Sequence, residues 1–111
     1  MKNTFELSLR PYKGRLLVAT TRKAYEKLHN HTFGDHDRLP EGIHGRFAVG
    51  GDENGMWTCI IWADNKAALV HELSHVVLDL FERCSINPIE AGGEPFCYLM
   101  EQLFSDCLES F

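Results

Sequence analysis

Long apolar runs are missing from this sequence. No stretch approaches the roughly 18 uninterrupted apolar residues that a membrane helix requires, so no membrane partner is expected. The opening segment, Met1 to Ser8, has no continuous apolar core of the secretory kind, which leaves a cytoplasmic location as the expectation. Cysteine is sparse: four residues, Cys59, Cys84, Cys97 and Cys107, form no Cys-x-x-Cys pair. That spacing offers no disulfide framework, and buried free thiols are expected. Positive charge is also short, with 11 Lys and Arg against 16 Asp and Glu and a net charge of −5. The basic residues are scattered, so nucleic acid is not an expected partner. Internal repeats and low-complexity tracts are absent. At 111 residues a second core would leave each half near the lower limit of independent stability, so a single domain over 1–111 is expected.

What is present is alternation and helical periodicity in a definite order. Phe5 to Leu9 alternates as a strand, the turn Pro11 to Gly14 follows, and Arg15 to Thr20 reads as a short buried strand completing a hairpin. Thr20 or Thr21 can cap a short helix, Arg22 to His29. The polar tract Asn30 to Gly42, with Gly34, Pro40 and Gly42 as breakers, predicts a mobile loop. Gly45 to Gly50 and Met56 to Ala63 flank a glycine-bounded connection suited to an antiparallel hairpin. Asp64 or Asn65 then supplies an N-cap for a long helix from Lys66 to about Cys84. Breakers fill Ser85 to Gly93, and Pro95 suits the first turn of a closing helix, Glu94 to Leu108. The pattern predicts an α+β domain: a short mixed or antiparallel sheet packed on the long helix and the closing one. Trp57, Trp62, Phe96, Phe104 and Phe111 are expected in the core or at its edge.

One spacing on the long helix carries chemistry. His71-Glu72-Leu73-Ser74-His75 puts two imidazoles four residues apart, about 6 Å along the axis, on one face. Glu72, turned about 100° from His71, is placed to act as a base beside a metal rather than as its ligand. A catalytic zinc usually takes three protein ligands and leaves the fourth position to water. Glu94, nineteen positions after His75, is the expected third, with Glu90 and Asp79 as alternatives. Asp79, one turn beyond His75, better suits a hydrogen bond behind the ligands. A thiolate site using Cys84 or Cys97 is a further alternative. His29, His31, His36 and His44 have no ligand-spaced partner on a firm element and are expected to be solvated. His31 and His36 stand near Asp35 and Asp37, an arrangement suited at most to weak binding of a second metal.

The His71-Glu72-x-x-His75 helix, followed after a breaker segment by Glu94-Pro95-Phe96-Cys97-Tyr98, resembles the gluzincin branch of the zincin metallopeptidases. More narrowly, it is similar to the minimal zincin-like proteins often encoded by bacteriophages. The resemblance covers Trp57 to Phe104. It implies a zinc ion on His71, His75 and Glu94, with Glu72 as general base. It also implies that the strand before the motif helix, Trp57 to Ala63, borders the cleft and pairs with an extended peptide. Trp57, Thr58 and Ile60, with Tyr98, are then the expected substrate contacts. Larger members add a domain whose Tyr or His steadies the oxyanion, and this chain has no room for one. Tyr98, His44, His31 and His36 are the substitutes at hand. The implied function is a zinc peptidase acting on peptides or unfolded protein segments. The alternative is a zinc-bearing phage accessory protein that binds and disables a host factor, in the host cytoplasm, without proteolysis.

Overall fold

The apolar run Leu16-Leu17-Val18-Ala19 is continuous rather than alternating because its strand is covered on both faces. The computed structural model, which describes residues 2–110, builds a four-stranded mixed sheet around it. Strand β1 (Thr4–Leu7) pairs antiparallel with β2 (Arg15–Ala19), the expected first hairpin. Helix α1 (Arg22–Phe33) follows β2. Strands β3 (Gly45–Gly51) and β4 (Trp57–Ala63) form the second hairpin, and β4 lies parallel to β2. The sheet order is β1-β2-β4-β3, which makes β3 an edge strand.

Alternation along the strands sorts two cores. Leu17, Ala19, Ile60 and Trp62 face α1, joined by Tyr25 and Leu28. Leu16, Val18, Cys59 and Ile61 face the other way, onto α2 (Lys66–Arg83) and α3 (Glu94–Leu108). Asn65 caps α2 through a bond from Ala68 N to Asn65 Oδ1 of 2.8 Å. Leu69, Leu73, Val76, Val77, Leu80 and Phe81 are buried along that helix, each contributing about 1.5–3 kcal/mol by removal from water. A 3-10 turn, Glu90–Gly93, precedes α3. Phe96 near the start of α3 meets Phe81 near the end of α2, ring centroids 6.1 Å apart. Leu108 shares a cavity with Asp64 to Lys66, so α3 runs back antiparallel to α2.

Four local expectations change. Helix α1 runs a turn further than His29, to Phe33, because the left-handed Gly34 closes it (φ 78, N–H to Asn30 O) and Phe33 packs beneath Gly50. His29 is therefore buried between Tyr25 and Phe33, not solvated, with Nδ1 3.0 Å from the Asp35 carbonyl. The following tract is pinned rather than free. Asp37 accepts from Tyr25 Oη (2.6 Å) and from Arg46 Nε and Nη2 (3.0 and 2.6 Å), and Glu26 accepts from Leu39 N (2.8 Å). All four cysteines are free. Cys59 and Cys107 are buried as expected, with burial pushing their thiols up to about 12 and about 11, whereas Cys84 and Cys97 are exposed. Among the described residues no helix is long and apolar enough to cross a membrane. Phe111 lies outside the described residues.

Candidate metal centre

The four-residue step on α2 brings the two imidazoles edge to face. Their ring centroids are 4.9 Å apart and His71 Nε2 lies 3.3 Å from His75 Nε2. A tetrahedral zinc with Zn–N bonds of about 2.05 Å separates two nitrogen ligands by roughly 3.3 Å, so the spacing fits one ion without rearrangement. A ring–ring hydrogen bond accounts for the same distance in the metal-free protein. Phe47 of β3 stacks on His75 at 5.5 Å and 23°, which restricts the ring to that orientation.

Glu72 completes the group: its carboxylate and the two ring nitrogens lie within 4.8 Å of one another. The imidazoles are exposed and Glu72 is buried, at 7% relative accessibility. It sits under the start of β3 because Gly45 has no side chain. A Cβ there would lie 2.7 Å from Glu72 Oε2 and 3.0 Å from its Cγ. Burial raises the Glu72 carboxyl above its ordinary value, while His71, His75 and Arg46 pull it down. A carboxylate so placed can take up a proton beside two side chains of the metal-binding type.

The remaining expected residues are not brought to this group. Glu94 is exposed at the start of α3. Phe96 is level with Phe81, six positions and about 9 Å beyond His75 along α2, so Glu94 stands beside the last turn of that helix. The antiparallel packing of α3 is the physical reason. Glu90, in the turn before α3, is likewise exposed. Asp79 bonds no histidine: its Oδ2 accepts from Trp57 Nε1 (3.0 Å), Arg83 Nε (3.0 Å) and the Cys59 thiol (3.7 Å). Cys84 and Cys97 are outside the group, as are His31 and His36. Among the described residues His71, Glu72 and His75 form the one cluster of this kind.

The expected substrate strand also needs correction. β4 is hydrogen-bonded on both sides, so no peptide can add to it; β3 holds the edge. Thr58 and Ile60 are fully buried, Ile60 on the α1 side. Trp57 remains partly exposed at 38%, and Tyr98 is exposed at 68%, on α3. His44 is tied through Nδ1 to the Asp64 carboxylate at 3.0 Å. Gly45 and Phe47, which position Glu72 and His75, carry no local signature in the sequence. Their role follows from the hairpin register that sets Gly45 opposite Ala63 and Phe47 opposite Ile61. Comparison with protein-family models, with curated proteins and with solved structures returns no match.

Proposed function

We propose that this chain is a zinc-dependent hydrolase of the zincin type, cleaving peptide bonds, with His71 and His75 as ligands and Glu72 as general base. The observation that carries the reading is the 3.3 Å Nε2 separation with the buried Glu72 carboxylate beside it. When bound, zinc supplies Lewis acidity, polarising a carbonyl and lowering the pKa of a coordinated water toward about 7. Glu72 takes the proton from the attacking water and returns it to the leaving amine, a role for which its raised pKa and shielded position suit it. Phe47 and Gly45 hold His75 and Glu72 in register. The unpaired edge of β3, next to both, is the place where an extended peptide gains main-chain hydrogen bonds.

The test separates ligands from base. His71→Ala and His75→Ala should lose zinc, measured by metal analysis of the purified protein. Glu72→Gln should keep it while hydrolysis of a peptide library falls by about 10²–10⁴. Zinc lost equally from all three variants sinks the division of roles. Exposure of both imidazoles, with one carboxylate gathered to them, favours a second reading: a zinc-bearing accessory protein that binds a host factor. That reading takes over when wild type holds zinc yet cleaves nothing that Glu72→Gln spares.

A further inference from the structure

The α2 stripe continues past the metal pair. His71, His75, Asp79 and Arg83 follow at four-residue steps, drifting only about 40° per step. Asp79 fixes the Arg83 guanidinium through Nε, and the same carboxylate oxygen holds the Trp57 indole, over which the guanidinium lies at 5.1 Å. Arg83 thus uses one of its five N–H donors on Asp79. Its Nη2 is buried and has no hydrogen-bond partner, which is costly for a cation unless something completes it.

A cavity of about 380 Å³ opens at this point, lined by Lys13, Gly14, Asn54, Met56, Trp57 and Arg83. The lining carries two cations and no carboxylate, in a chain of net charge −5. Asp79 is ion-paired with Arg83 itself, Nε to Oδ2 at 3.0 Å, and Asp52 accepts from its own loop amides while facing Arg15 at 3.6 Å. Lys13 has no ion pair among the described residues. Gly14 lies beside the guanidinium, where a Cβ would stand 3.5 Å from Nη2 and 3.6 Å from Nη1, both ordinary contact distances.

We infer that this pocket is a carboxylate subsite, with Arg83 and Lys13 as the binding cations and Trp57 as its wall. Arg83 lies eight residues beyond His75, about 12 Å along the helix. An extended chain covers that distance in three or four residues at about 3.3 Å each. Phe47, which stacks on His75, and the exposed Val49 share one face of β3, and the strand runs on from them to Gly51, opposite Trp57. The substrate class is therefore a peptide with an acidic side chain, or its terminal carboxylate, three or four positions from the bond cleaved. This last step rests on the hydrolase reading; binding of the anion does not.

Trp57 fluorescence reads the pocket, since Trp62 is buried and supplies a constant background. Zinc-loaded Glu72→Gln is titrated with three peptides: one with glutamate four positions from its centre and an amidated end, one with a free terminal carboxylate at that position, and a neutral control. The acidic peptides should bind about tenfold more tightly, with the stronger arm identifying the source of the carboxylate. Salt or Lys13→Glu should erase the preference. Arg83→Gln should do the same, and because it strands Asp79, the exposed Lys13 variant keeps the test decisive if that protein fails to fold. Equal affinity for acidic and neutral peptides overturns the subsite, as does a preference that survives Lys13→Glu. Inorganic phosphate titrated into metal-free protein separates the two ideas. Lys13-dependent quenching without any zinc-dependent cleavage keeps the pocket and removes the hydrolase, whereas cleavage indifferent to acidic residues does the reverse.

Discussion

Substituting Gly45 with alanine tests whether Glu72 is held in place by the strand above it. The added methyl group would stand 2.7 Å from Oε2, 3.0 Å from Cγ and 3.2 Å from Cδ of Glu72, closer than carbon contacts normally allow. Relief has to come from Glu72, because the Gly45 backbone is fixed opposite Ala63 in the β3–β4 ladder. Overpacking of this kind costs about 1–3 kcal/mol, which should lower the melting temperature by roughly 5–15 °C in a domain this size. The chemical consequence is larger than the structural one. A reacting group displaced by about 1 Å loses roughly 10²-fold in rate. The three atoms nearest the added methyl group all belong to Glu72, so zinc stoichiometry should be unchanged while kcat/KM for peptide hydrolysis falls. Gly51→Ala is the control, since a Cβ there meets only ordinary contacts at 3.8 Å or more. Full activity in Gly45→Ala, or joint loss of zinc and activity, would refute the claim that this glycine positions the base and not the metal.

Glu94→Gln should retain zinc, because the first turn of α3 lies beside the far end of α2; metal analysis showing loss would mean that this turn moves to the histidine pair in the loaded protein. Metal-free Glu72→Gln should match wild type in thermal stability at acid pH and exceed it at neutral pH. Glu72 has a raised folded-state pKa, so the native state binds the extra proton and stability is lost as pH rises through that value. A wild type more stable than the variant at neutral pH, in melts run with chelator, contradicts this. Asp37 is the opposite case, held at about 2 chiefly by the Arg46 hydrogen bonds. Its stabilisation is present above its ordinary value of 3.8 and fades as pH falls toward about 2. Asp37→Asn should therefore cost about 1–2 kcal/mol at neutral pH in denaturant titrations, and the gap to wild type should close in strong acid. A deficit that persists undiminished in acid assigns the loss to packing instead.

What could be read from the sequence was whatever a single segment decides for itself. The Asn65 cap, the periodic run to Arg83 and the closing helix from Glu94 depend on local signals, and both hairpins follow from alternation around glycine-bounded turns. The His71–His75 pair was legible for the same reason, since one helix fixes both rings. Strand order was not. Alternation says that Trp57 to Ala63 is a strand, yet its burial on both sides depends on the parallel pairing with Arg15 to Ala19 across a crossover of more than thirty residues. Placing the peptide-binding edge on β4 failed for that reason. The unbroken apolar run Cys59-Ile60-Ile61-Trp62-Ala63 was the available sign that this strand lies inside the sheet.

The same distinction explains why Glu94 does not stand where the spacing argument put it. A count of nineteen residues constrains how far Glu94 can be from His75, not which end of α2 it meets. That choice is made by packing: Phe96 against Phe81 and Leu99 and Leu103 in the shared core seat α3 along the buried side of α2, whereas the histidines face outward toward β3. The elements that do converge on the pair are Gly45 and Phe47, brought there by a hairpin whose turn lies at the opposite end of the strands. The site is thus built by the sheet edge and one helix, with α3 as a buttress behind it. On the proposed function, changes to the α3 face that carries Leu99 and Leu103 should act on stability alone, while changes at Gly45 and Phe47 should act on the chemistry as well as on stability.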